Sequence, residues 1–193
     1  MVLEESDREI IDACRRGESE AFRALFERNK DKVYSIALRY SGDPAVAQDI
    51  AQETFLKVFA GLNSFRGEAE FGSWLYRLVV NSCFDQKRKV RRLTPLLDEA
   101  LAMLQAPDVS ALDGIVQAEL SAHLRTVVAT LSDEQRMLLV LRYTQSLSYE
   151  EIAEALGTTK GTVASRLNRI HRMLERRLSR FAQRVQGKES KRG

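Results

Sequence analysis

At 193 residues with 44% hydrophobic content, the chain is long enough to bury a core in one domain or in two small ones, which excludes a disordered polypeptide. No apolar run approaches the roughly 20 residues that span a bilayer, and the acidic, polar start from Met1 to Glu9 lacks the pattern of an export signal. A cytoplasmic protein with no membrane insertion is expected. The formal charge of +3 is unevenly spread: Arg166, Arg169, Arg172, Arg176, Arg177, Arg180, Arg184, Lys188, Lys191 and Arg192 face only Glu175 and Glu189, which points to a polyanionic partner.

Ser6-Asp7-Arg8-Glu9 reads as a capping box opening a short helix that stops at Gly17. Ser19 caps the next stretch, in which Phe22, Leu25 and Phe26 and then Val33, Ile36, Ala37 and Tyr40 recur at helical spacing until Gly42. Asp43-Pro44 restarts the chain, aspartate as N-cap and proline at the first helical position. In the helix from Pro44 to about Ala60, Val46, Ile50, Phe55, Val58 and Phe59 form a buried face, while Asp49, Gln52, Glu53 and Lys57 lie outside and Glu53 and Lys57 pair across one turn.

A loop from Gly61 to Gly72 leads into a helix from about Ala69 to Arg92. Here Phe65, Phe71, Trp74 and Tyr76 stand ahead of Lys87, Arg88, Lys89, Arg91 and Arg92. Rings at near-helical spacing are more often core than binding platforms. The case for a site is that Asn63 to Glu68 adjoins a helix presenting Arg77, Asn81, Lys87 and Arg88 along its exposed side, beside those rings. Stacking a freed base on a side chain contributes about 1–3 kcal/mol, against a cost of a few kcal/mol for each unstacked duplex step. Rings plus an amide for a base edge suit capture of an opened strand.

Leu93 to Leu124 carries no Lys or Arg; Asp98, Glu99, Asp108, Asp113 and Glu119, interspersed with Pro95, Pro107 and Gly114, read as a flexible acidic tether. A helix is expected from about Ile115 to Thr130. The box Ser132-Asp133-Glu134-Gln135 then opens a helix through Tyr143, and Ser148-Tyr149-Glu150-Glu151 opens a short one ending at Leu156, with Gly157 supplying the turn and Thr159 capping the last helix. In that helix Val163, Leu167, Ile170, Leu174, Leu178 and Phe181 form an apolar seam, leaving Thr162, Ser165, Arg166 and Arg169, with Asn168 beside them, on the outer face. Arginine forks onto guanine, asparagine onto adenine, and serine or threonine serves bases or phosphate. An isolated helix of this composition is by default a solvated surface helix. A short capped helix, a glycine turn and a second helix with its polar face concentrated early are instead a helix-turn-helix, a reader of the duplex major groove. Arg172, Arg176 and Arg177 touch backbone or solvate the helix.

No segment alternates as a strand does, and no internal repeat appears. Cys14 and Cys83 read as ordinary thiols, and with His123 and His171 they assemble no ligand or nucleophile set, so no metal, no cofactor and no enzyme are expected. The fold class is all-α, two small helical domains joined by the linker: residues 1–92, a linker over 93–118, a helix-turn-helix domain over 119–185 and a basic tail over 186–193. A stand-alone helix-turn-helix regulator is the rival reading; it shares the C-terminal evidence and leaves the front half unexplained.

Asp49-Ile50-Ala51-Gln52-Glu53-Thr54-Phe55, then Phe71-Gly72-Ser73-Trp74-Leu75-Tyr76-Arg77 and Asn81, resemble the bacterial extracytoplasmic-function sigma factors of the sigma-70 family. Leu147-Ser148-Tyr149-Glu150-Glu151-Ile152-Ala153 and Gly161-Thr162-Val163-Ala164-Ser165-Arg166-Leu167 resemble that family's promoter-reading C-terminal domain. The resemblance implies a dissociable RNA polymerase subunit without catalysis of its own. By it, Asp49, Gln52, Glu53, Leu56 and Lys57 dock on the clamp helices of the largest polymerase subunit, and the second domain meets the flap of the second-largest. Phe65, Arg66, Phe71, Trp74, Arg77 and Asn81 take a flipped base of the -10 element, with Lys87 and Arg88 on nearby backbone. Lys160, Gly161, Thr162, Ser165, Arg166, Asn168 and Arg169 read the -35 element, the acidic tether occupies polymerase channels, and an anti-sigma factor is an implied partner. The chain departs from several relatives at Ala164, where they carry a basic residue, at Asn168, where they carry an aromatic one, and at Gly72, where they carry something larger.

Overall fold

Local capping chemistry sets most of the helix boundaries. The structure, a computed structural model, describes residues 3–65, 67, 70–93, 126–128 and 130–189, and among them every regular element is helical. Helix α1 (Leu3–Arg15) begins ahead of the expected capping box, so Ser6 lies inside it: nothing between Leu3 and Ser6 breaks a helix. It ends at Gly17, whose φ of 85° lets the Glu18 amide donate back to the Ala13 carbonyl at 3.2 Å. Helix α2 (Ser19–Ser41) starts on Glu18 and without a side-chain cap, so Ser19 is its first residue and not its cap. At Asp43 the expectation holds: Oδ1 accepts from the amides of Ala45 (2.7 Å) and Val46 (3.1 Å), and Pro44 is the first residue of α3 (Pro44–Gly61). A 3-10 turn (Leu62–Ser64) follows, then α4 (Phe71–Leu93). The expected start at Ala69 lies outside the described residues.

These helices bury Leu25, Val33, Ile36, Ile50, Val58, Leu75, Val79, Val80 and Cys83. Two buried polar groups bond within their own helices: Thr54 Oγ1 donates to the Ile50 carbonyl at 2.7 Å and Asn29 Nδ2 to the Leu25 carbonyl at 2.8 Å. One expected core ring is missing from this set. Phe59 is 66% exposed and Leu56 beside it 63%.

In the C-terminal half, Ser132 and Gln135 form the anticipated reciprocal box at the start of α5 (Asp133–Leu139). Instead of continuing as α-helix to Tyr143, the chain widens into a π turn (Val140–Thr144). It reverses through Ser146 at φ 56°, and Arg142 Nη1 secures the bend by donating to the Leu147 carbonyl at 2.7 Å. Ser148 and Glu151 box the start of α6 (Tyr149–Leu156), which Gly157 terminates at φ 62°. Thr159 Oγ1 then accepts from the Thr162 amide at 3.2 Å and opens α7 (Lys160–Glu189). Helix α7 outruns the expected domain end and continues through much of the segment read as a basic tail. Val163, Leu167 and Ile170 are its buried seam, with Leu174 and Leu178 half-buried; the side chains of 180–189, Phe181 among them, lie outside the description.

The two halves meet. Helix α4 packs on α6, the buried side chains of both halves form one continuous cluster, and Arg136 Nη1 on α5 donates to the Tyr40 carbonyl at the end of α2, 3.2 Å away. The linker over 94–118 and most of the helix expected from Ile115 lie outside the described residues.

Candidate nucleic-acid interface

Trp74 sits at the N-terminal end of α4 over a position that only glycine fills without contact: a Cβ on Gly61 would come within 3.0 Å of Trp74 Cζ2. The indole meets Phe65 (centroids 5.0 Å apart, planes at 36°) and Phe71 (5.8 Å, 48°), and Phe65 meets Phe71 edge-on at 6.1 Å. Phe71 is buried and backs the cluster; Phe65 and Trp74 are half-buried. The loop bearing Phe65 is tied down from α1 by Arg15, which donates to the carbonyls of Phe65 and, at 3.4 Å, Leu62. Sequence reasoning missed Arg15, because nothing local distinguishes it from the other charged residues of α1.

Tyr76 does not share this platform. It lies buried on another side of α4, with Lys32 Nζ 5.5 Å from its ring centroid; burial, and then the Glu151 carboxylate of α6, push its hydroxyl pKa up. Arg77, Asn81, Lys87 and Arg88 are all exposed, as expected. Arg88 pairs with Asp85 on its own helix, and Lys87 Nζ stands 3.8 Å from Asp133 of α5. Arg66 lies outside the described residues, as do the side chains of Arg91 and Arg92.

Along α3 the five expected polymerase-facing residues divide into two sets. Asp49, Gln52 and Leu56 are exposed. Leu56 and Phe59, with Phe22, Phe26, Tyr34 and Phe55, line an apolar groove of about 560 Å³, whose polar flank includes Gln48 and Gln52. Glu53 and Lys57, partly exposed, also tie α3 to α4. Lys57 Nζ lies 3.0 Å from Glu53 Oε1, 3.0 Å from Asp85 Oδ2 and 3.1 Å from Ser82 Oγ, while Lys89 reaches Glu53 Oε2 at 2.7 Å. The bond from Lys89 holds the Glu53 carboxyl below its ordinary pKa, and that from Arg88 does the same for Asp85. For Lys57, burial opposes the charge and the bonds to Asp85 and Glu53 outweigh it, leaving its pKa raised.

At the start of α7, Ser165, Asn168 and Arg169 are exposed, and a Cβ on Gly161 would approach only Thr159 Oγ1, at 4.0 Å. Thr162 and Ser165 also serve the helix: Thr162 Oγ1 lies 2.9 Å from Thr159 Oγ1, and Ser165 Oγ donates to the Thr162 carbonyl at 3.0 Å. Two expected readers carry intramolecular partners, Arg166 with Glu134 Oε2 at 2.9 Å and Lys160 with Glu150. Further along, Arg169, Arg172, Arg176 and Arg177 line an open cleft of about 510 Å³ around Met173. Among the described residues no helix is long and apolar enough to cross a membrane.

Residues 25–93 match the family model of Sigma-70 region 2, and residues 122–174 that of Sigma-70, region 4. The chain is 33% identical over 177 residues to the ECF RNA polymerase sigma factor SigW of Bacillus subtilis, covering 87% of this chain and 94% of that one. It is 34% identical over 183 residues to the ECF RNA polymerase sigma-E factor of Escherichia coli (90% and 94%) and 30% identical over 190 residues to the RNA polymerase sigma-H factor of Pseudomonas aeruginosa (92% and 96%). Its fold is similar to that of CnrH, solved in complex with the cytosolic domain of CnrY (TM-score 0.66, 22% identity, 90% of this chain and 97% of that one). It is also similar to the sigma factor RpoE from Bartonella quintana, solved with the anti-sigma factor NepR (TM-score 0.65, 23% identity, 82% and 96%). With both regions matched in order and relatives aligned along nearly its whole length, the chain belongs to the extracytoplasmic-function sigma factors of the sigma-70 family, non-catalytic subunits that bind core RNA polymerase and promoter DNA and initiate transcription.

Proposed function

We propose that the two halves divide the promoter between them, α4 and the Phe65 loop capturing unpaired bases of the -10 element while the first turns of α7 read intact duplex at the -35 element. The observation that carries this reading is the half-buried pair Phe65 and Trp74, braced by Phe71 and Arg15, on the helix that also exposes Arg77 and Asn81. A braced, half-buried ring is suited to stack a freed base, and an exposed amide presents both a donor and an acceptor to a base edge. On α7, Ser165, Asn168 and Arg169 supply the donors and acceptors that base edges in the major groove match. Thr162, Lys160 and the open backbone at Gly161 face phosphate, which a helix N-terminus attracts.

Core polymerase docks, on this reading, through its clamp helices against Asp49, Gln52 and Leu56, with Glu53 and Lys57 fixing the α3 surface from behind, and the flap of its second-largest subunit meets the C-terminal domain. The acidic linker follows the polymerase channels. An anti-sigma factor is the expected antagonist, in keeping with the complexes in which CnrH and the Bartonella RpoE were solved. Transcription from a matched promoter by purified core, with and without the protein, tests the whole reading. Trp74→Ala and Asn81→Ala are expected to abolish strand opening, followed by permanganate reactivity, while leaving -35 duplex binding by the holoenzyme intact. Full opening by both variants refutes it.

A further inference from the structure

Tyr143 stands 62% exposed in the turn that leads into the helix-turn-helix, and neither strand capture nor polymerase docking uses it. Its position is fixed from three sides. The backbone around it is the π turn, a rare geometry that recurs at functional sites, anchored here by the buried Val140 and Leu141. Arg142 braces the same turn, donating to the Leu147 carbonyl at 2.7 Å with its guanidinium 5.2 Å from the Tyr149 ring centroid. The Tyr143 hydroxyl lies 2.6 Å from Nε2 of His171 on α7, with the ring centroids 5.9 Å apart. An exposed tyrosine held in this way gives up less freedom when a partner arrives.

His171 puts this pair at the edge of the groove-reading face. At about 100° per residue, Asn168 lies between Arg169, about 100° to one side, and His171, about 60° to the other and about 4.5 Å further along the axis. The major groove is about 12 Å wide and a helix with its side chains about 10–12 Å across, so a helix seated there has sugar-phosphate walls along both flanks. A group at the edge of the reading face, one turn on from Asn168, therefore meets backbone and not bases. The pair can donate to it whichever way its own bond runs. With the hydroxyl donating, the imidazole keeps a proton on Nδ1; with Nε2 donating, the hydroxyl proton is free. Glu175, the first acid of α7, lies one turn beyond His171 on the same side, which bounds the phosphate-facing stretch at this pair.

We propose that Tyr143 and His171 together form a phosphate clamp that fixes α7 on the DNA backbone beside the -35 element. The inference rests on the reading of α7 given above and adds to it a contact from outside the recognition helix. The clamp carries no base information. It sets the depth and angle at which α7 sits, and so the register in which Ser165, Asn168 and Arg169 meet base edges.

The test uses holoenzyme and duplex promoter fragments, each carrying one methylphosphonate in place of a phosphate around the -35 element. At one position the neutral linkage is expected to weaken wild-type binding about three- to tenfold, the scale of one lost hydrogen bond. Tyr143→Phe, which keeps the ring, and His171→Ala are expected to weaken binding to unmodified DNA by a similar factor, for every base sequence alike, and to lose nothing further at that linkage. His171→Gln, which restores a donor, is expected to recover part of the affinity. Urea unfolding of the free chain reports any change in stability separately. Losses that add at every phosphate overturn the clamp and leave the pair as a fastening between the π turn and α7; unchanged affinity in both variants overturns it as well. If Arg169→Ala leaves base preference at the -35 element unchanged, the reading of α7 has failed, and the phosphate cycle still decides the clamp.

Discussion

Leu56→Ala combined with Phe59→Ala separates folding from polymerase binding, because these side chains are placed where the two respond differently. Leu56 is 63% and Phe59 66% exposed, so only about a third of each is already removed from water in the folded chain. Full burial of such a side chain is worth about 1.5–3 kcal/mol, so covering the exposed two-thirds adds about 1–2 kcal/mol per residue, while the part already buried contributes about 0.5–1 kcal/mol. Phe59 also loses an edge contact with Phe22 at 5.1 Å, worth about 0.5–1.5 kcal/mol. The double variant is therefore expected to lose about 2–4 kcal/mol of core polymerase affinity, roughly 30- to 700-fold at 1.4 kcal/mol per decade. Its expected loss of folding stability is about 1.5–3.5 kcal/mol. Titration of labelled core polymerase gives the first quantity and urea unfolding the second. Unchanged affinity in a folded double variant refutes the proposed docking of polymerase on the α3 surface around Leu56.

Gly61→Val forces a side chain into the 3.0 Å gap beneath the Trp74 ring, and tryptophan emission is expected to shift to the red with promoter opening weakened and the global fold retained. Ser146→Gly relieves a non-glycine residue at φ 56° and is expected to raise stability to urea by about 0.5–1 kcal/mol. Glu53 and Asp85 have folded pKa values below their unfolded ones, so their contribution is complete above about pH 4.3 and fades as pH falls through the lower folded values. The melting temperature should accordingly be flat from pH 6 to 5 and drop below about pH 4, less steeply in Lys57→Met. Burial pushes the Cys83 thiol up to about 12, so a thiol reagent at pH 8 is expected to titrate it only after unfolding.

The elements legible in the sequence are those fixed by chemistry within one turn. Asp43-Pro44 and the two boxes at Ser132 and Ser148 each satisfy amides two or three residues away, and each was found where the spacing put it. The grouping of Tyr76 with the other rings was a misreading that helix geometry could have prevented, since Trp74 and Tyr76 sit about 200° apart around a helix and cannot share one platform. The exposure of Phe59 was not, because hydrophobic periodicity gives a face and not its occupant. Arg15 and Arg136 act on carbonyls far away in sequence, and no local signal marks them. The meeting of the two halves was likewise hidden: an acidic tether says that domains can part, and says nothing of how they pack when they do not.

On the -35 reading proposed above, Arg166 approaches DNA already holding a carboxylate. Its bond to Glu134 at 2.9 Å means that a guanine or a phosphate reaches this arginine by exchange, and the favourable energy is the difference between two charge-assisted bonds. A base pair presenting a good bidentate acceptor wins that exchange, whereas one presenting a poor acceptor leaves Glu134 in place. A built-in anion of this kind sharpens selectivity at the expense of tightness, which suits a subunit that must leave most of a chromosome untouched.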